Sequence, residues 1–255
     1  MTFSKASALA ELHLTPQAFQ AAVNRMRKKG RLASPRRGFY LILRPEDRVL
    51  APDPARWIDP LMKHLGLDYR ISLLRAAAFH GSAHQSAMVF QVITSRQLPD
   101  IVIGRQQLEF LYQSSGCFAA SNRPEWLDQL KTDAGYAKVA GVELTLLDIL
   151  RYFHRAAGIN GAAQAVHDLG RKAEPRILAQ AARHYENATV RRLGYLLERF
   201  GHARQAHVLL SFSHKAKSFK ELDPSAKPIV ASLRGSEEKN HKWKLVINVE
   251  VEIDT

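Results

Sequence analysis

Between Leu14 and Gly30 the sequence is punctuated at both ends as a single helix. Thr15 supplies a capping hydroxyl, Pro16 suits the first helical position, and Gly30 is the residue favoured just past a helix end. Inside those limits Phe19, Ala22, Val23 and Met26 recur at i, i+3, i+4 and i+7, one buried stripe. Gln17, Gln20, Ala21, Asn24, Arg25, Arg27 and Lys28 are left on or beside the outward face. A shorter Ala/Leu-rich helix over residues 4–12, with Ser4 as its cap, comes before it, and His13-Leu14 breaks the pattern. Two short helices joined by such a break form a helix-turn-helix.

The residues that follow extend the motif. Arg31-Leu32-Ala33 and residues 38–43 (GFYLIL) are strand-like runs around Ser34-Pro35-Arg36-Arg37. They predict a β-hairpin whose tip carries Arg36 and Arg37, where a wing would flank a duplex. Gln, Asn and Arg have the bidentate geometry that reads adenine and guanine edges, and Lys and Arg hold phosphates. The predicted DNA contacts are therefore Gln17, Gln20, Asn24, Arg25 and Lys28 on the second helix, with Arg36 and Arg37 on the wing. A basic pair that only keeps a hairpin tip soluble is the plainer alternative. Only Met1-Thr2-Phe3 come before Ser4, where winged helices ordinarily carry a further helix. The expectation is either a start upstream or two helices packed on a larger domain.

Charge agrees with this placement. The 255 residues carry a net +13, and residues 1–50, with ten Lys/Arg against three Asp/Glu, account for +7 of it. A local surplus of this kind suits a phosphate-binding segment, although a solvated face would carry the same charge.

Residues 44–57, with three prolines among charged residues, predict a linker. The division expected is a winged helix-turn-helix over 1–48 and a larger α+β domain over 49–255. In the second part, residues 88–94, 101–103 and 108–112 are rich in β-branched and aromatic residues and predict strands, with 117–120 and 136–142 as further candidates. From Thr145 onward short Ala/Leu helices follow one another, and strands before helices predict α+β. The alternation of Trp243, Leu245, Ile247, Val249, Val251 and Ile253 predicts a long closing strand returning to the central sheet, after a polar surface loop over 213–241.

Candidate chemistry is sparse. Apolar residues make up 46% of the chain, enough for a core, and no uncharged apolar run is long enough to span a membrane. A single cysteine excludes an internal disulfide and a cysteine-based zinc site, and nothing resembles a signal peptide, so the expected location is the cytoplasm. Asp100 and Glu109 have the look of a two-carboxylate nuclease pattern, but Leu111 stands where such sites need a lysine. His80 and His84 are four apart, but Gly81-Ser82 argues against a shared helix. Cys117 has no basic neighbour to activate it. No phosphate-binding loop, dinucleotide fingerprint or nucleophile elbow is present. The paired arginines of RRLGYLLE (191–198) open what the pattern predicts as an amphipathic core helix. No catalytic residue, cofactor or metal ligand is assigned.

The ordered set of segments resembles one family. KKGRL (28–32), RRGFYLI (36–42), YRISLLRAAAFHG (69–81), MVFQVIT (88–94), VELTLLDILRYF (142–153), RRLGYLLE (191–198) and WKLVINVEVE (243–252) together are similar to the AbiEi antitoxins of type IV toxin–antitoxin, or abortive infection, systems. The resemblance implies a winged helix that binds operator DNA and represses its own operon. It also implies a domain that counters a nucleotidyltransferase-like toxin without a stable complex, in phage defence and without enzymatic activity. A stand-alone winged-helix regulator or a metal-dependent nuclease are the competing readings.

Overall fold

The computed structural model describes residues 2–82, 89–132, 135–226 and 238–253. They form two compact units that alternate along the chain, Met1–Ile71 with Met88–Phe118 and Asp128–Val139 in one, and Ser72–Ala87 with Ala119–Leu127 and Ala140–Thr255 in the other. The class is α+β.

The first unit opens with β1 (Thr2–Ser4), α1 (Lys5–Leu12), α2 (Pro16–Lys28), β2 (Leu32–Arg36) and β3 (Phe39–Ile42). Each boundary follows from local chemistry. Ser4 Oγ accepts the Ser7 amide at 3.0 Å, and the Ser7 hydroxyl lies 3.2 Å from the Ser4 amide that donates back to it, a reciprocal cap. His13 then turns the chain with φ 50°, and Thr15 Oγ1 accepts the Ala18 amide at 3.2 Å to start α2. Gly30 ends that helix at φ +62°, a conformation that side-chain-bearing residues rarely adopt.

These elements close a core of their own. Ala8, Phe19, Val23, Leu32 and Tyr40 are buried together, with Phe3, Leu9, Leu14, Met26 and Ile42 packed around them. Tyr40 is the hub, stacked on Phe3 at 5.2 Å and edge-on to Phe19 at 5.6 Å. The two helices thus pack on the hairpin. β1 pairs antiparallel with β3, giving the order β1-β3-β2.

Residues 44–57, read as linker, fold into α3 (Asp47–Leu50) and a 3-10 turn over Pro54–Arg56. Arg56 Nη1 lies 3.5 Å from Asp47 Oδ1, and Trp57 is buried with its indole N–H donating to the Pro52 carbonyl at 3.1 Å. α4 (Ile58–Leu65) follows. The same unit holds most of a six-stranded sheet built from β4 (Tyr69–Ile71), β5 (Val89–Thr94), β6 (Ile101–Ile103), β7 (Gln106–Tyr112), β8 (Leu127–Thr132) and β9 (Gly135–Ala140), in the order β6-β7-β5-β4-β9-β8. β5 and β7 run parallel with Val92 opposite Phe110, while β6 and β4 flank them antiparallel.

The second unit is mainly helical. Its helices are α5 (Leu73–Phe79), α7 (Val142–Arg151), α8 (Gly158–Leu169), α9 (Pro175–Ala181), α10 (Asn187–Arg199), α11 (Ala203–His207) and α12 (Leu210–His214), with α6 (Ser115–Ser121) bridging the division of the chain. α7 is buried from Glu143 to Leu150, so it is the central helix. A small sheet, β10 (Lys220–Glu221), β11 (Glu238–Asn240) and β12 (Leu245–Ile247), has β12 in the middle.

Three expectations are corrected. Residues 117–120 are helical within α6, where small residues follow the Ser114 carbonyl that accepts the Phe118 amide at 2.8 Å. The closing strand shrinks to Leu245–Ile247 and belongs to the small sheet. Lys244 has φ 48°, which breaks the extended backbone, and Trp243 is buried through a turn and not through strand alternation. The polar stretch 213–241 is no uniform loop, since it holds β10 and β11, while residues 227–237 lie outside the described ones.

Candidate nucleic-acid interface

α2 presents its predicted contact residues as one surface. Gln17, Gln20, Asn24, Arg25 and Lys28 are all exposed, while Phe19 and Val23 face the core. The helix contains no acidic residue, and Glu11 is the only one anywhere in residues 2–43. Arg25, Arg27 and Lys28 sit in the last turn, where they also favour the negative end of the helix dipole. Gln20 Nε2 donates to Asn24 Oδ1 at 3.0 Å, so the two amides are held side by side and aimed outward. An amide pair of this sort offers donors and acceptors in fixed order, as base-edge reading needs.

The two arginines of the hairpin tip differ in their surroundings. Arg37 is exposed. Arg36 is half-buried: its guanidinium lies over the Phe110 ring, 5.6 Å from the centroid, and its Nη2 donates to the Pro99 carbonyl. Burial pushes the Arg36 pKa down from its ordinary value, with the Asp100 carboxylate pulling the other way. The tip is held a second time by His64, whose Nε2 donates to the Arg37 carbonyl at 3.2 Å and whose ring packs on Phe39. Sequence spacing could not reveal Arg36's fate, because its partners lie more than sixty positions away.

The model of the AbiEi antitoxin C-terminal domain matches residues 70–199, half of the chain. The chain belongs to the AbiEi antitoxin family. An antitoxin role in a toxin–antitoxin system comes with that membership. The crystal structure of the RV2827C protein from Mycobacterium tuberculosis is similar over 96% of this chain and 86% of that one, with a TM-score of 0.66. Its sequence identity of 17% makes this a likeness of fold. No curated protein matches the sequence.

Within the region matched by the family model, Asp148, Glu143, Arg191 and Arg192 tie parts of the second unit together by hydrogen bonds. Asp148, fully buried on α7, accepts the Ser72 hydroxyl at 2.7 Å and the Tyr185 hydroxyl at 2.6 Å. Glu143 Oε1 accepts the Glu174 amide at 2.6 Å at the start of α9. Arg191 Nη1 donates to the Lys244 carbonyl at 2.7 Å, and Arg192 donates twice to the Glu221 carbonyl at 2.9 and 3.1 Å. RRLGYLLE is therefore a core helix whose arginines satisfy the backbone of the small sheet.

Two of the side chains considered as candidate chemistry, Asp100 and His80, make hydrogen bonds within the fold. Asp100 Oδ1 accepts the Phe110 amide at 3.0 Å, which ties the β6 edge to β7. His80 Nε2 donates to the Ala140 carbonyl at 2.7 Å, and His84 lies outside the described residues. Among the described residues no group of three or more His, Cys, Asp or Glu side chains is placed to hold a metal. No helix among them is long and apolar enough to cross a membrane.

Proposed function

We propose that this AbiEi protein is the antitoxin of a type IV system and that it represses its own operon through residues 1–48 acting as a winged helix-turn-helix. The observation that carries the DNA-binding part is the α2 surface: Gln17, Gln20, Asn24, Arg25 and Lys28 exposed together with no acidic neighbour on the helix. In this reading the duplex lies along α2, whose amides meet base edges and whose cations meet phosphates. Arg37 adds a phosphate contact from the wing. Arg36 acts as a buttress, fixing the hairpin through Phe110 and Pro99.

The larger α+β part, from residue 49 onward, would counter a nucleotidyltransferase-like toxin in the cytoplasm, in phage defence, without a stable complex and without catalysis of its own. Family membership and the structural use of Asp148, Glu143, Arg191 and Arg192 support that reading.

The test is a pair of assays on the full chain and on Arg25→Ala/Lys28→Ala. The wild type should bind a duplex from upstream of its own gene in a gel shift and restore growth when the adjacent toxin gene is induced. The double variant should lose duplex binding by roughly two orders of magnitude at physiological salt, because two phosphate contacts disappear, and should keep rescue. A variant that binds the duplex as the wild type does would overturn the α2 assignment. Absence of rescue by the wild type would overturn the pairing with that toxin.

A further inference from the structure

The helical unit carries a second basic surface, built from three segments that are far apart in sequence. Arg183 forms the shared wall of two adjoining clefts of about 360 and 370 Å³. One cleft runs from Arg183 past Phe212 to Lys215, the other from Arg183 past His184 to Trp126 and Arg123. No acidic side chain lines either cleft. Arg183 and Lys215 are exposed and their side chains have no hydrogen-bonding or ionic partner among the described residues. Glu186, three positions along, is held at 2.8 Å by Arg151, and Glu125 comes no nearer to Arg123 than 3.9 Å.

The Trp126 indole is buried, and Arg123 and His184 pack against it. The Arg123 guanidinium lies 5.0 Å from the centre of the Trp126 ring, and the His184 ring packs against the same indole at 5.8 Å. Trp126 is anchored through its carbonyl, which accepts the Gly141 amide at 2.9 Å, and the Phe212 carbonyl accepts Asn187 Nδ2 at 2.8 Å. A guanidinium laid on an indole exposes a flat cationic face, on which a nucleobase stacks. An unpaired arginine between two clefts is placed to fork onto phosphate oxygens, and Lys215 adds a point charge one step along. The positive field is already felt inside the cluster. His184 is held below its ordinary pKa, by burial first and then by the charges of Arg123 and Arg183.

We propose that these joined clefts bind single-stranded nucleic acid, with a phosphate on Arg183, the next phosphate toward Lys215, and a base against the Arg123–Trp126 face. Two concavities in series, with cations spaced along them and, at one end, the outward face of an arginine laid on the buried Trp126 indole, suit a flexible strand that can bend its backbone into them. A duplex carries its bases inside and offers nothing for that face. The site lies wholly within the second unit and shares no residue with the α2 surface.

The experiment is fluorescence anisotropy of the full chain with labelled oligouridine and oligothymidine octamers at low salt, about 50 mM. The wild type should bind one or both, and the ratio of the two affinities tells RNA from DNA as the preferred strand. Arg183→Glu and, separately, Lys215→Glu should each weaken binding by roughly tenfold or more while leaving duplex binding on α2 unchanged. Arg183→Ala should flatten the logarithmic salt slope by about 0.7, the value for one lost single-strand phosphate contact. Both positions are exposed, and circular dichroism of each variant separates lost affinity from lost fold. Octamer affinity unchanged in both variants would overturn the proposal, and so would abolition of octamer binding by Arg25→Ala/Lys28→Ala. Competition by inorganic phosphate as effective as by unlabelled octamer would reduce the site to a simple anion pocket and overturn it too. So would no binding by the wild type at low salt.

Discussion

The Arg36 guanidinium rests 5.6 Å from the centre of the Phe110 ring, so a residue of the hairpin tip is bound to a strand of the six-stranded sheet. Arg36 and Arg37 are neighbours in sequence, and in the proposed reading only Arg37 meets the duplex. Arg37→Ala should reduce the slope of log affinity against log salt by about 0.9, the signature of one lost phosphate contact on duplex DNA. Arg36→Ala should leave that slope nearly unchanged and cost about 1 kcal/mol in urea unfolding, since it removes a partly exposed cation–ring contact. Equal salt slopes for the two variants would contradict the division.

Asn24 is expected to read bases. Asn24→Ala should lower the preference for the natural operator over a scrambled duplex by roughly tenfold, while affinity for the scrambled duplex changes little. Because Gln20 donates to Asn24, the same variant also releases the Gln20 amide. Gln20→Ala is the control that separates lost reading from lost orientation. Uniform loss on both duplexes would assign Asn24 to the phosphate backbone.

Gly194 is required by packing. A Cβ built there would stand 2.2 Å from a carbon of the Trp243 ring, which is fully buried. Gly194→Ala should therefore destabilise the protein by about 2 kcal/mol through overpacking. Trp243→Leu in the same background should cost less than the two single changes added together, because the clash is gone. Strict additivity would mean that the two residues do not meet.

His184 predicts a pH effect with a definite sign. Burial, then the charges of Arg123 and Arg183, hold its folded pKa below the ordinary 6.5. The unfolded chain therefore takes the proton more readily, so the stabilising contribution is complete above 6.5 and is lost as pH falls through the folded value. Arg183→Ala should move the His184 titration midpoint upward in an NMR titration. A midpoint unmoved by that change would show that the arginine's field does not reach the ring.

Sequence was most informative where structure is set by neighbours. Ser4, Thr15-Pro16 and Gly30 mark helix limits by hydrogen bonding and backbone geometry confined to a few residues, and both helices form within those limits. The Phe19, Ala22, Val23, Met26 stripe was legible because helical periodicity alone orients it. The alternation after Lys242 did not carry through, since burial of Trp243, in a turn, depends on the absent side chain of Gly194 on α10. The contacts of Arg36 were not legible for a related reason: Phe110 and Pro99 reach it only after the sheet has formed. The Arg183 clefts gave no local signal at all, because Arg123, Arg183 and Lys215 meet only through the packing of separate helical segments.

The arginines of α10 also tie the burial of that helix to residues far downstream in the chain. Arg191 and Arg192 are buried against carbonyls of Ser218, Glu221 and Lys244, residues that leave the ribosome after α10 itself has emerged. Until they arrive, two guanidinium groups cannot be buried without the uncompensated cost of a desolvated charge. Burial of both guanidinium groups is therefore compensated only once the segment through Lys244 is in place against α10.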